Sequence, residues 1–391
     1  MFKKRTLELK ELTKYNSNNR SKQSRDIIRA VKYANIEQVI SLLTKVSDIN
    51  IVDKKGNSLL HLAILHNQVS VLEYLLKIPT LNLDSCNKNK ETPLTFAIKS
   101  GRRSLAQMMH SALCKKLKIH YIEGGVDVDM NAFLGRGTFG EVYKGKYNGQ
   151  NVAVKKLFVN ATFSLSMLKR EIEAMQRCQS PYLLRLIAVS DLNSTRPKLI
   201  LDYMDSGDLR GYLSKKKNKQ SVAIHYSTLE LAWAIANGLA DIHSYGFIHR
   251  DLKSQNIFLC TKNYIKLADF GLTRDAYNTK TLSVGTPQWT APEVFSSEYY
   301  GTPSDIYSFG VVLTELDTFE LPYSNQNFTQ QAFYNGVCNG KLRPTVSANC
   351  PSWYKNLVEK CLEHNPQKRP TAPEVIDILY NRLYLDNHDE S

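Results

Sequence analysis

The period of apolar positions changes along this chain. From Arg25 to about residue 110, apolar residues recur at helical spacing, as in DIIRAVKYANIEQVISLL and VSVLEYLL, which predicts a succession of short amphipathic helices. From Val128 to Leu157, VDMNAFLGRGTFGEVYKGKYNGQNVAVKKL alternates apolar and polar residues and predicts strands, with Asn148-Gly149 as a tight hairpin turn. KREIEAMQRC then returns to helical spacing. LILDYMDSGDL, Leu199 to Leu209, ends an apolar strand and opens a Gly-containing linker, and STLELAWAIANGLADIHS further on reads as a helix. Residues 1–24 are polar without such periodicity. Lys and Arg outnumber Glu8 and Glu11 there, as in a basic disordered tail.

The helical block repeats itself. Ala30, Ala63 and Ala97 recur 33 and 34 residues apart. Ser58-Leu59-Leu60-His61-Leu62-Ala63 and Thr92-Pro93-Leu94-Thr95-Phe96-Ala97 share a hexapeptide pattern, while the first unit keeps only the helices. A helix pair with one apolar face must bury it on a neighbour, and repetition at this period marks a stacked array. The small alanines allow close helix approach, Leu60, Leu62, Leu72, Leu75 and Leu76 supply the core, and His61 reads as a structural residue bonded to turn backbone. Residues 25–110 therefore resemble three ankyrin repeats, with Leu59 in the signature's Pro position and Thr95 in its His position. The resemblance implies a protein partner on the repeats, in docking or autoinhibition. Residues 111–128 read as a cap and linker.

Composition narrows the setting. The 391 residues are 42% hydrophobic and 23% charged, ordinary for a globular protein of two or three domains. No apolar run is long enough for a membrane span, and the first residues lack the apolar core of a signal peptide. Seven scattered cysteines without a CxxC point to a reducing, cytoplasmic interior, including that of a eukaryotic host cell if the source is bacterial or viral. A net charge of +14 favours anionic partners and leaves weak electrostatic contact with a membrane surface open. No nucleic-acid-binding module accompanies it, so no specific nucleic acid is expected.

Three glycines in Leu134-Gly135-Arg136-Gly137-Thr138-Phe139-Gly140-Glu141-Val142 keep the GxGxxG spacing. A dinucleotide-binding fold would follow it with a helix; here two strands follow, so backbone N–H groups of a hairpin can approach phosphates. Lys155, within Val152-Ala153-Val154-Lys155, would need a carboxylate to fix it. Glu171 is the first choice because Met175 then falls one turn on against the core, with Glu173 as the alternative. HRDLKSQN, His249 to Asn256, supplies an Asp for a proton and an Asn for a metal, and DFG follows from Asp269.

With Ala291-Pro292-Glu293 and SDIYSFGVVLTEL following in order, residues 129–382 closely resemble a protein kinase, its N-lobe ending near residue 204 and a tail following at 383–391. The expected fold is multidomain: an N-terminal all-α ankyrin repeat stack followed by a bilobal α+β protein kinase fold. The resemblance implies ATP and Mg²⁺ as cofactors. It gives Leu134, Gly135, Gly137, Gly140, Val142, Ala153, Lys155, Leu201, Asp202, Met204 and Phe258 to the nucleotide, with Leu201 as gatekeeper. Asp251 would accept the substrate's proton, Lys253 would neutralise the transferring phosphoryl group, and Asn256 and Asp269 would ligate the metal. His249 would pack on Phe270. Arg250 would pair with a phosphate on the loop that offers Tyr277, Thr279, Thr281 and Ser283, Thr281 or Ser283 foremost. Glu293 would pair with Arg369, and Asp305 would hold the catalytic loop backbone.

DIYSFG and GTPQWTAPE resemble the tyrosine-kinase-like (TKL) group, with RAF-like and integrin-linked-kinase-like proteins among it. Lys253 and Thr286 resemble Ser/Thr kinases, WTAPE points mildly towards tyrosine, and dual specificity stays open. The expected function is phosphorylation of Ser/Thr in protein substrates. A pseudokinase scaffold with ankyrin repeats is the alternative, and the presence of Gly137, Lys155, Glu171, Asp251, Asn256 and Asp269 together speaks against it.

Overall fold

The computed structural model describes residues 22–46, 48–115, 119–137, 140–158, 164–269, 274–275, 286–296, 301–324 and 328–385. The chain divides into two compact units between Lys116 and Leu117.

The first unit is three helix pairs: α1 (22–32) with α2 (Ile36–Leu43), α3 (Leu59–Leu65) with α4 (Val69–Leu76), and α5 (Pro93–Lys99) with α6 (Arg103–Lys115). Ala30, Ala63 and Ala97 are buried, as are Leu60, Leu62, Leu72 and Leu75. Each TPLH-like hexapeptide opens a helix through its hydroxyl: Ser58 and Thr92 are N-caps, and Pro93 occupies the first turn, where its missing N–H costs nothing. His61 is fully buried. Its Nδ1 lies 2.8 Å from Ser58 Oγ and its Nε2 3.0 Å from the Glu91 carbonyl of the next repeat, the structural role its place in the motif suggests.

The second unit begins with a six-stranded sheet. Its strands are β1 (His120–Ile122), β2 (Asp127–Gly137), β3 (Gly140–Tyr147), β4 (Gln150–Leu157), β5 (Leu186–Ser190) and β6 (Lys198–Asp202), in the order β1-β5-β6-β4-β3-β2. All neighbours are antiparallel except β1 and β5. The β3–β4 turn is Asn148-Gly149, both at positive φ (49° and 76°), as a two-residue type I′ hairpin requires. Alternation divides the sheet's faces: Tyr147, Val152, Val154, Ala188 and Ile200 form the outer core, while Val142, Ala153, Lys155, Leu199 and Leu201 share the other face. Helix α7 (Leu165–Arg177) packs against β5 and buries Leu168, Glu171, Ile172 and Met175 at helical spacing.

The rest is helical, built from α8 (Leu209–Lys217), α9 (Thr228–Ser244), α10 (Pro292–Ser296), α11 (Thr302–Thr318), α12 (Gln330–Cys338), α13 (Ser352–Cys361) and α14 (Ala372–Tyr380). Helices α9 and α11 are apolar on nearly every side and form its centre. Short ribbons lie between: β7 (Phe247–Ile248) pairs with β10 (Arg274–Asp275), and β8 (Ile257–Cys260) with β9 (Tyr264–Leu267).

Three boundaries differ from the sequence reading. Lys22–Ser24, read as tail, belong to α1. Residues 111–128, read as linker, hold the last turn of α6, all of β1 and the start of β2. A three-residue strand is too short to carry a period, so only its pairing with β5 reveals it. The helical end continues to Leu385, where Tyr384 packs edge-on against Trp233.

Candidate active site

The site is built where the sheet meets the helical lobe. Strand β4 carries Lys155, whose Nζ lies 3.2 Å from Glu171 Oε1 on α7 and 2.9 Å from Asp269 Oδ1. Glu171, not Glu173, therefore meets the lysine. Burial disfavours charge on Lys155, but Asp269 and Glu171 outweigh it and raise its pKa. Lys155 in turn holds Asp269, whose side chain is half exposed, below the usual carboxylate range.

The glycines serve different ends. A Cβ on Gly140 would lie 2.1 Å from the Lys156 carbonyl, so that glycine is needed for β3 to pack on β4. A Cβ on Gly135 or Gly137 would meet nothing within 4 Å. Those two border the open cradle that a phosphate chain could enter. Leu134 is exposed on β2, while Val142 and Ala153 lie half-buried on the Lys155 face. Leu201 is buried opposite Ala153 at the end of β6, Asp202 bonds Arg185 at 2.8 Å, and Met204 is buried just beyond. Phe258 on β8 forms an isolated bridge with Asp208, the N-cap of α8.

The HRDLKSQN loop is held from below. Asp305, buried on α11, accepts the backbone N–H groups of His249 (2.8 Å) and Arg250 (2.9 Å) and bonds His243 Nε2 at 2.8 Å. Burial opposes its charge, but the hydrogen bonds from His243 and from the His249 backbone lower its pKa. Arg250 (φ 70°) and Asp269 (φ 68°) occupy the left-handed region, which costs a non-glycine residue about 1–3 kcal/mol and persists only under such restraint.

Above this floor Asp251 Oδ2 accepts Lys253 Nζ at 2.6 Å and Asn256 Nδ2 at 3.1 Å, and its Oδ1 accepts the Thr286 hydroxyl at 3.1 Å. Lys253 also donates to Thr286 Oγ1 at 2.8 Å. A carboxylate offers about four acceptor sites, so one remains for a substrate hydroxyl. Asn256 and Asp269 offer oxygen donors, the chemistry of a hard cation such as Mg²⁺. Among the described residues no three His, Cys, Asp or Glu side chains are grouped so as to hold a metal ion by themselves.

Glu293 and Arg369 form a two-pronged pair at 2.6 and 2.8 Å. Tyr277, Thr279, Thr281 and Ser283 lie outside the described residues, as does Phe270, so their expected contacts with Arg250 and His249 do too. His249 is fully buried, and Arg250 is buried beside a small cavity lined by Thr290, Ala291, Val294 and Ser304.

Sequence reasoning missed one network. Glu315 on α11, fully buried, accepts Ser254 Oγ at 2.6 Å and Trp289 Nε1 at 2.8 Å, with Arg210 3.5 Å away. It ties the HRDLKSQN loop to the segment after Thr286. A polar residue late in an apolar helical run was the available signal. Burial pushes its carboxyl up to about 7, although Ser254 and Trp289 oppose this. The folded state thus binds more protons than the unfolded one between about pH 4.5 and 7, and Glu315 lowers stability as pH rises through that range. The stability difference between wild type and Glu315→Gln, read from denaturant midpoints, should fall by on the order of 3 kcal/mol from pH 5 to 8. A constant difference would contradict the shift.

A family model described as protein kinase domain matches residues 128–380, and one described as ankyrin repeats, three copies, matches residues 27–118. A probable serine/threonine-protein kinase of Dictyostelium discoideum is 34% identical over 260 residues, 65% of this chain and 28% of the relative. A probable LIM domain-containing serine/threonine-protein kinase of that organism is 33% identical over 282 residues, 71% of this chain and 42% of the relative. Its dual specificity protein kinase shkD is 31% identical over 270 residues, 66% of this chain and 35% of the relative. The chain spans less than half the length of each. On the match across residues 128–380, this chain belongs to the protein kinase domain family, with ankyrin repeats ahead of that domain.

Proposed function

We propose that this protein transfers the γ-phosphate of ATP to Ser and Thr hydroxyls of protein substrates, using Mg²⁺. The observation that carries this reading is Lys155 held between Glu171 and Asp269 across the cleft from a hydrogen-bonded Asp251–Lys253–Thr286 cluster. A scaffold has no need for that arrangement of charges. Lys155 would hold the α- and β-phosphates over the open Gly135–Gly137 cradle, and Asp269 and Asn256 would hold the metal. Val142, Ala153 and Phe258 would hold the adenine, with Leu201 and the backbone from Asp202 to Met204 beside it. Bound Mg²⁺ supplies charge neutralisation on the phosphates. Asp251 orients the attacking hydroxyl and takes its proton, while Lys253 steadies the transferring group and Thr286 holds both side chains in place.

The Lys253–Thr286 contact favours Ser/Thr over Tyr, as do the names of two relatives; the third carries dual specificity in its name. DIYSFG and GTPQWTAPE support membership of the TKL group. Arg250, beside Asp251, is placed in sequence to receive a phosphate on Thr281 or Ser283. The repeats are read as a protein-docking module, and seven cysteines with no disulfide among them suit a reducing cytoplasm. No helix among the described residues is long and apolar enough to cross a membrane. Phosphoamino-acid analysis after transfer from labelled ATP to a degenerate peptide mixture should show phosphoserine and phosphothreonine; phosphotyrosine alone would overturn the acceptor assignment.

A further inference from the structure

Strand β1 lies ahead of the residues that the kinase family model matches. It is nevertheless bound into the sheet, with His120 opposite Ala188, Tyr121 opposite Val189 and Ile122 opposite Ser190. The Asp191 N–H donates to the Ile122 carbonyl at 3.0 Å, and the Gly124 N–H to Asp191 Oδ1 at 2.9 Å. Alternation sends His120 and Ile122 to the outer face, where His120 Nδ1 meets Tyr147 Oη at 2.8 Å and Ile122 packs on the outer core.

Tyr121 therefore points to the opposite face, which is the face of Lys155. One rung of the sheet runs Tyr121, Val189, Leu199, Lys155, Val142 and Gly135, from the strand edge to the glycine cradle. Helix α7 touches this rung twice. Glu171 reaches Lys155, and Gln176 Nε2 donates to Tyr121 Oη at 2.8 Å. The five helical steps from Glu171 to Gln176 span about 7.5 Å, so fixing one end restricts the other. Glu171 meets Lys155 through Oε1, and its buried Oε2 has no hydrogen-bond partner among the described residues. The position of α7 thus sets the position of the carboxylate.

We propose that Tyr121 is a positioning residue for phosphoryl transfer: its hydroxyl anchors the last turn of α7 and so holds Glu171 against Lys155. The inference rests on the kinase reading above. The test uses the full chain and the degenerate peptide mixture. Tyr121→Phe and Gln176→Met should each lower kcat/KM for ATP by about three- to tenfold, the net worth of one hydrogen bond. The double variant should be no worse than either single one, and Tyr121→Phe should cost nothing further in a Glu171→Gln background. An unchanged kcat/KM, or the same loss in the Glu171→Gln background, overturns the proposal. Hydrogen exchange across residues 165–177 is measured alongside and needs no activity. Faster exchange in Tyr121→Phe supports the anchor and unchanged exchange overturns it. A silent wild type would count against the kinase reading, and the exchange result would still decide the anchor.

Discussion

Asp251→Asn should lower kcat by about 10³-fold while leaving the fold and nucleotide affinity unchanged, because general-base catalysis contributes about 10²–10⁴. Asn keeps the shape of Asp and an oxygen for the Thr286 hydroxyl or the Lys253 ammonium, but it cannot take a proton from the acceptor. The Asp251 carboxylate is fixed by three side chains, Lys253, Thr286 and Asn256, so its orientation is set before substrate arrives. Steady-state transfer to peptides measures the loss, and far-ultraviolet circular dichroism checks the fold. A loss under tenfold would mean that another group takes the proton.

The largest effect on stability is expected at Arg369. Its side chain is wholly buried, and besides both oxygens of Glu293 it binds the carbonyls of Glu363 (2.8 Å) and Pro303 (2.9 Å). Removing one partner of a buried pair leaves an uncompensated charge and costs about 3–5 kcal/mol. Arg369→Met should therefore consume a large part of a domain stability of about 5–15 kcal/mol. Adding Glu293→Gln should recover some of the loss, since the stranded carboxylate is then neutral. Urea unfolding of the full chain measures both variants. A cost below about 1 kcal/mol for Arg369→Met would show that the pair is not what anchors this corner.

Much of this architecture is legible in the chain because its elements carry local signals. The 33- and 34-residue alanine spacing exposes the repeats, and Asn148-Gly149 marks its hairpin because few residues accept two successive positive φ angles. Glu171 could be preferred over Glu173 because helical spacing puts Met175 on the same buried face. What escaped was long-range. His243 and Asp305 are 62 residues apart, and Ser254 and Glu315 61 apart, and although a polar residue in the apolar run of α11 marks Glu315, no local pattern names either partner. Strand β1 escaped for the same reason: HYI becomes a strand only through β5, 68 residues away at Tyr121 and Val189. The glycines show a further limit. Sequence treats Gly135, Gly137 and Gly140 alike, whereas a side chain at Gly140 would strike the neighbouring strand and the other two face open space.

The most direct measurement is transfer of labelled γ-phosphate by the full-length wild type, beside a Lys155→Met protein that keeps the fold but loses the charge between Glu171 and Asp269. The account predicts Mg²⁺-dependent label on Ser and Thr with wild type and none above background with Lys155→Met as the enzyme, while the same variant does take label when offered to wild type as substrate. A folded wild type that binds ATP yet transfers no label, to itself, to the variant or to peptides, would contradict the account and leave the kinase unit as a scaffold.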